Sequence, residues 1–417
     1  MPEQSLDSHQ RAVVFAVATF DTKAEELAWV AACLLQAKVD VVTVDVSAAR
    51  ETDAAADVSV SEVLAASGLT LSDVQSTDRG AAVTTMSDAF RIWLLRQHAK
   101  GRVAGVIGIG GSGGTAIITA GMRALPVGIP KLMVSTMASG NTAPYVDCSD
   151  ICLMPSIVDV AGLNTVSRRV LSNAAHAMAG MVTHVVADSI VRPAIGMTMF
   201  GVTTTCVTAV RKSLEDAGFD CLVFHATGTG GRAMETLDES GVIAGVLDVP
   251  TTEVADEVVG GILSAGPQRF DVILQKQIPY VMSLGALDMV NFGAKAIVPD
   301  RFRNRTLHVH NANVTLMRTT EEENRQVAEW IAAKLNHSSS AVTLLIPEQG
   351  VSAIDAAGQP FHDPAADAAL FNELETLVEP SELRRIGRYP LHINDPEFAR
   401  ARVDEFQRLW AMRRSKN

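Results

Sequence analysis

The sequence predicts an α/β protein made of two Rossmann-like domains, with mostly parallel sheets and helices on both faces. Three observations carry this prediction. Short runs rich in Val, Ile, Leu and Ala alternate with segments of helical periodicity along most of the chain. The strand runs are continuously apolar, as they must be when helices cover both faces of a sheet; 47% hydrophobic but only 5% aromatic residues fits such layers. The alternation also restarts near Arg192-Pro193, which divides the 417 residues into 1–188 and 189–417.

The elements follow in order. Arg11–Phe20 reads as a strand, Thr22–Ala37 as a helix, Val39–Val46 as a strand, and Arg50–Val60 as polar irregular chain. Ala81–Ala99 carries Val83, Met86, Phe90, Trp93 and Leu94 at helical spacing. Val103–Ile107 is a strand that runs into Gly108-Ile109-Gly110-Gly111-Ser112-Gly113-Gly114-Thr115, and a helix begins at Ala116. Lys131–Met137 and Ile151–Ile157 are strands, and Asn164–His184 is a long helix. In the second half Ala194–Phe200, Asp220–His225 and Val242–Val249 are strands, the first followed by a helix to Ala217. Thr315–Arg318, Glu321–Leu335 and Ala341–Ile346 continue the alternation, and Asp395–Arg414 reads as an exposed amphipathic helix.

Composition removes several function classes. A formal net charge of −12 without a Lys/Arg stripe argues against nucleic-acid binding. The five cysteines (Cys33, Cys148, Cys152, Cys206, Cys221) are scattered and read as reduced thiols, and Cys148 with Cys152 lacks the second ligand pair of a zinc site. Met1–Arg11 has no signal-peptide core and no apolar run reaches membrane-spanning length, so a cytoplasmic protein without a membrane partner is expected.

The glycine cluster is the main functional signal. Glycines between a strand and a helix start let backbone N–H groups approach a ligand, and the helix dipole adds positive potential there. A plain tight turn needs one or two glycines, whereas this loop has five. Gly108-x-Gly110-x-x-Gly113 and Gly228-x-Gly230-x-x-Ala233 both have dinucleotide spacing, but only the second has an acidic residue, Asp248, about twenty positions on. A dinucleotide at the second loop therefore stays open as an alternative. Neither loop ends in Gly-Lys-Ser/Thr, which excludes an ordinary P-loop. Ligands of open parallel sheets bind beyond the strand carboxyl ends. There Thr19, Asp21 and Lys23 offer bonds, a metal contact and a cation, Asp45 a ribose contact, and Thr136, Ser139, Gly140 and Asn141 a hydroxyl-dense loop suited to phosphate or Mg²⁺-bound water. In the second half His225, Asp248, Glu253 and Asp288 are the catalytic candidates, with Gly228, Gly230 and Gly231 as a second cradle. Cys206 lies within a helix and reads as core, while His308 and His310 share one side of a strand without an identifiable third metal ligand.

Phe20-Asp21-Thr22-Lys23, Gly110–Thr115, Pro130–Thr142, Gly196–Cys206, Val223–Met234, Thr251–Asp256, Gly285–Gly293, Val314–Asn324, Leu345–Asp363 and His392–Pro396, taken in order, resemble the family of the tomato protein that confers tobamovirus resistance and its bacterial relatives. The match runs nearly the full length. It implies ATP with Mg²⁺ held mainly by the N-terminal domain, through Thr19, Asp21, Lys23, the loop Gly110, Gly111, Ser112, Gly113, Gly114 and Thr115, and the Thr136–Thr142 loop. It also implies a homodimer or higher homo-oligomer. The plant relative continues into a TIM-barrel-like region that this sequence does not show, so antiviral activity is not expected of it. The resulting expectation is an ATP/Mg²⁺-binding enzyme acting on a small organic acid between the domains. The rivals are a nucleotide-binding regulatory module without turnover, and a metal-dependent hydrolase or lyase with ATP as effector.

Overall fold

The computed structural model describes residues 12–48, 55–75, 78–184 and 192–414. Arg11, residues 49–54 around the start of the irregular stretch, and the boundary region at 185–191 lie outside them. The chain divides into two compact units, Met1–Asp188 and Ser189–Asn417.

In the N-terminal unit β1 (Val13–Ala18), β2 (Val41–Asp45), β3 (Val103–Gly110), β4 (Lys131–Ser135) and β5 (Cys152–Pro155) form one parallel sheet in the order β2-β1-β3-β4-β5. Successive side chains alternate between its faces. Phe15, Val17, Val106 and Met133 meet the helices Arg79–Ala99 and Ser112–Ala124. Val14, Ala16, Ile107 and Leu132 meet the helices Phe20–Gln36 and Thr165–Thr183. Helix Arg79–Ala99 is capped by Asp78, which accepts from Gly80 N (2.8 Å) and Ala81 N (3.1 Å). It stops where Gly101 turns left-handed at φ +69°. Its Phe90 ring lies where a Cβ on Gly121 would stand (2.5 Å), so the two helices on that face approach closely.

The C-terminal unit contains β6 (Ala194–Met199), β7 (Asp220–His225), β8 (Ile243–Pro250), β9 (Tyr280–Gly285), β10 (Met289–Phe292), β11 (Leu307–Asn311), β12 (Val314–Arg318), β13 (Val342–Pro347) and β14 (Arg384–Tyr389). Its main sheet is parallel, in the order β14-β13-β9-β8-β6-β7. Between β9 and β13 the chain inserts a small antiparallel sheet, β10-β12-β11, that strand–helix alternation did not predict. The chain is thus a pair of Rossmann-like α/β units. Numbered within its own unit, each main sheet runs 2-1-3-4-5, with a sixth strand in the second. In this order the chain reverses direction between the first and third strands of each unit, and ligand crevices form there.

The terminal helix Pro396–Arg414 differs from expectation. It is not an exposed tail: Phe398, Arg402 and Phe406 are fully buried against the main sheet, beside the helix Thr204–Asp216. Gly245 on β8 leaves the room that the Phe406 ring occupies. An arginine in the middle of the i, i+4, i+8 stripe disguises an apolar face. Among the described residues no helix is long and apolar enough to cross a membrane. Phe406→Ala should therefore destabilise the C-terminal unit by about 3–5 kcal/mol in urea unfolding; a cost below about 0.5 kcal/mol would mean a solvent-facing helix.

Candidate functional site

The glycines of the first loop sort by the space around them. A Cβ on Gly108 would strike Ile118 and Met133 at 2.6 Å, and one on Gly110 would strike the Gly114–Thr115 backbone at 2.9 Å. These two glycines let the strand and helix pack. Gly111, Gly113 and Gly114 have no neighbour closer than 3.6 Å to such a Cβ, and all three line a cavity of about 640 Å³. That volume is in the ~300–1,000 Å³ range of small-molecule sites. The cavity opens at the β1/β3 crossover, where this strand order places its crevice.

Helix Ser112–Ala124 starts at this cavity with Gly111 as its N-cap and no side chain capping it. The N–H groups of its first turn therefore face the cavity with the positive end of the helix dipole. Thr19, Asp21, Thr22 and Lys23 come from the β1 end, and Arg79 from the start of helix Arg79–Ala99. Lys23 and Arg79 have no ion pair or side-chain hydrogen bond among the described residues. Ala48, Val74, Ala82, Val83 and Ile117 supply an apolar wall. Arg79 and this wall were missed by the sequence reading. The Asp78 cap was the available signal, because it starts the helix two residues before Ala81 and puts Arg79 in its first turn.

The remaining expected nucleotide residues fall elsewhere. Asp45 is a buried support: its carboxylate accepts from Phe20 N (3.0 Å) and Ser47 N (2.8 Å), and burial pushes its pKa up. Thr115 is fully buried and bonds Ser135 Oγ at 2.6 Å. Gly110 is filled against the helix, as above. Thr136 and Ser139 line a different cavity, beyond β4 and β5. Asn141 accepts from Ala143 N at 3.2 Å, and Gly140 packs on the Met137 carbonyl.

The second glycine loop is answered from within. Gly228 N and Gly231 N both donate to Glu253 Oε1, at 2.8 and 3.1 Å. The carboxylate of Glu253 stands where the sequence placed a bound anion. Its other oxygen accepts from Arg269 Nε at 2.9 Å. Arg269, 2% exposed, also binds Glu235 (2.9 Å) and Asp248 (2.7 Å), and Tyr280 donates to Asp248 at 3.0 Å. Burial works against the Arg269 charge, but Asp248, Glu253 and Glu235 outweigh it and hold its pKa well up. Burial raises Glu235 and Glu253, with Arg269 opposing. Asp248 and Glu253 are thus fully buried partners of one guanidinium, and Gly230 abuts the His225 backbone.

Asp288 belongs to a second buried cluster. It accepts from Ser352 Oγ (2.8 Å), while Arg318 binds Asp367 (2.6 Å) and lies 3.5 Å from Asp355. Asp355 Oδ1 has no hydrogen-bond partner, and Oδ2 accepts from Val351 N at 2.9 Å. Burial, then Asp288 and Asp367, push Asp355 up to about 9. Of the four catalytic candidates only His225 is exposed; its ring lies beside that of Phe200, centroids 5.7 Å apart and planes tilted by 56°. Cys206 is buried, and desolvation lifts its thiol to about 11, as suits a core residue. His308 is half-buried and His310 exposed; among the described residues no three His, Cys, Asp or Glu converge on a possible metal position.

Fold and site define a class: a doubly wound α/β protein with a cavity of small-molecule size at its N-terminal crossover. Within that class the chain belongs to the uncharacterised protein family UPF0261. The family's N-terminal domain matches residues 12–187 and its C-terminal domain residues 192–410. A UPF0261 protein of Rhizobium meliloti is 54% identical over 94% of this chain and 98% of its own length. The tomato ToMV resistance protein Tm-1 and its ToMV-susceptible counterpart are each 47% identical over 94% of this chain. The chain spans 55% of their length.

Two outcomes follow from the buried clusters. Glu253→Ala should cost about 3 kcal/mol or more in denaturant unfolding, because it strands Arg269 and two N–H groups, whereas Glu253→Gln, which keeps an acceptor, should cost less. Asp355 binds its proton more tightly folded than unfolded, so its contribution is full below about pH 4 and is lost as pH rises toward 9. Asp355→Asn should therefore flatten the fall in stability between pH 5 and 9, and equal slopes in the two proteins would show Asp355 to be ionised.

Proposed function

We propose that the N-terminal unit binds ATP with Mg²⁺ in the cavity at the β1/β3 crossover. The observation that carries this is the uncapped start of helix Ser112–Ala124, opening with Gly111, Gly113 and Gly114 onto about 640 Å³. Phosphate oxygens supply the acceptors that these N–H groups lack. Lys23 and Arg79 offset the phosphate charge, which a chain of net charge −12 does not do globally. Asp21 reaches the metal directly or through water. The wall of Val74, Val83 and Ile117 takes the base. The residues present fit the group.

When bound, ATP–Mg²⁺ supplies a transferable phosphoryl or adenylyl group, and such transfer is catalysed mainly by positioning and charge. The chain's own part is to hold the phosphates on a rigid helix end and to keep the base out of water. A small organic acid as partner finds less support. In the C-terminal unit the buried Arg269 and Arg318 are already bound to carboxylates.

Calorimetry and thermal shift test this reading. ATP with Mg²⁺ should raise the melting temperature by mass action. Gly113→Val should abolish binding without lowering the unliganded melting temperature, since a Cβ there meets nothing nearer than Val83 at 3.6 Å. Lys23→Met should weaken binding about 10-fold or more, as expected for one lost charge-assisted phosphate contact. Undiminished affinity in Gly113→Val would remove the cradle.

A further inference from the structure

A second chamber of about 520 Å³ lies in the N-terminal unit beyond the carboxyl ends of β4 and β5. It adjoins the phosphate loop through Thr136, whose N–H donates to Gly110 O at 3.3 Å and whose hydroxyl stands 3.8 Å from a Cβ position on Gly111. Its floor is fixed. Ser135 Oγ bonds Thr115 (2.6 Å) and Met137 N (2.9 Å), and Ser156 Oγ donates to Val158 O at 2.7 Å. Its walls offer unused polar groups: Thr136, Ser139 and Asp159 have no side-chain hydrogen bond or ion pair among the described residues.

Two further features mark this chamber. No cation lines it, and Asp159 is its one charged lining residue. Ile157 on its rim is 75% exposed and sits at φ +66°, a left-handed conformation that a β-branched side chain avoids. Such strain gathers where a loop is held for a ligand. A cavity lined by hydroxyls and one carboxylate suits hydroxyl groups and an ammonium, and disfavours an anion. The exposed Ile157 offers an apolar surface for the carbon face of a sugar-like ring.

We propose that this chamber is a binding site for a small polyhydroxylated or amino-alcohol molecule, neutral or cationic, with Asp159 as anchor and Thr136 and Ser139 as hydroxyl contacts. Its place as the co-substrate beside the phosphates rests on the nucleotide reading above; its ligand chemistry does not. The Thr136 and Ser139 hydroxyls, expected from the sequence to meet the nucleotide, serve this second ligand instead.

Thermal shift and calorimetry on the full chain test this, with D-glucosamine, ethanolamine and sorbitol as probes, D-gluconate as the anionic contrast, and ATP–Mg²⁺ run in parallel. At least one of the first three should raise the melting temperature and D-gluconate should not. Asp159→Lys should abolish the probe shift, and Thr136→Val should weaken it several-fold, while both keep the ATP–Mg²⁺ shift. Asp159 is exposed and unpartnered, so the lysine variant should fold. No shift from any of the three probes, a D-gluconate shift of equal size, or an unchanged probe shift in Asp159→Lys would overturn the proposal. A probe shift lost in Asp159→Lys in a protein that ignores ATP–Mg²⁺ would uphold the chamber and remove the nucleotide reading alone.

Discussion

A parallel sheet delivers a helix N-terminus to the carboxyl end of each strand it covers, and the N–H groups there need acceptors. Much of the polar structure of this chain answers that need. Asp78, Asn164, Thr320 and Asp363 cap their own helices. Helix Phe20–Gln36 is answered from the next strand end: Asp45 accepts from Phe20 N, and Ser47 Oγ accepts from Asp21 N. Helix Thr204–Asp216 receives Asn394 Oδ1 on Cys206 N, from far along the chain. Helix Thr229–Glu239 receives Glu253. Helix Ser112–Ala124 starts without a side-chain cap, and its start meets the large cavity.

Answering a helix start with a buried carboxylate creates a second need. Glu253 can stay in the protein interior only because Arg269 pairs with it, and Arg269 then gathers Glu235 and Asp248. A lone buried carboxylate would cost several kcal/mol. The same logic builds the Arg318 cluster, where acids outnumber the base and Asp355 answers the imbalance by keeping its proton. Both hubs lie near the carboxyl ends of the second sheet, and both consume the groups that sequence reasoning assigned to chemistry.

The layered fold was legible because it depends on runs of residues. Buried parallel strands are apolar throughout, and their helices repeat at a fixed period, so β1, β3, β6 and β8 could be read directly. The antiparallel insert was not, because β10 lies within a continuously buried stretch that gives no alternation. The terminal helix was misplaced because Arg402 interrupts its apolar stripe. The site was half legible. Thr19, Asp21, Lys23 and Gly111–Gly114 were found because glycines and strand ends are local signals. Arg79 and Val83 were missed because they reach the cavity through helix packing, which rests on a contact between Phe90 and Gly121 that no spacing reveals.

The two glycine loops show why spacing alone could not assign a ligand. Both follow a strand and open a helix, and both match the same pattern. Their difference lies in what stands over them. A Cβ on Gly113 meets open cavity, whereas one on Gly231 would meet Glu253 Oε2 at 2.1 Å and Arg269 Nε at 2.5 Å. An external anion at the second loop would have to displace Glu253, which would leave Arg269 short of a partner and a carboxylate without its N–H donors. A phosphate would need to outbid a pair of N–H bonds and an ion pair that are already formed and already desolvated. At the first loop no side chain stands in its place. Under the same glycine spacing the first loop opens onto a cavity and the second holds the fold, and a glutamate some twenty residues downstream fills the second.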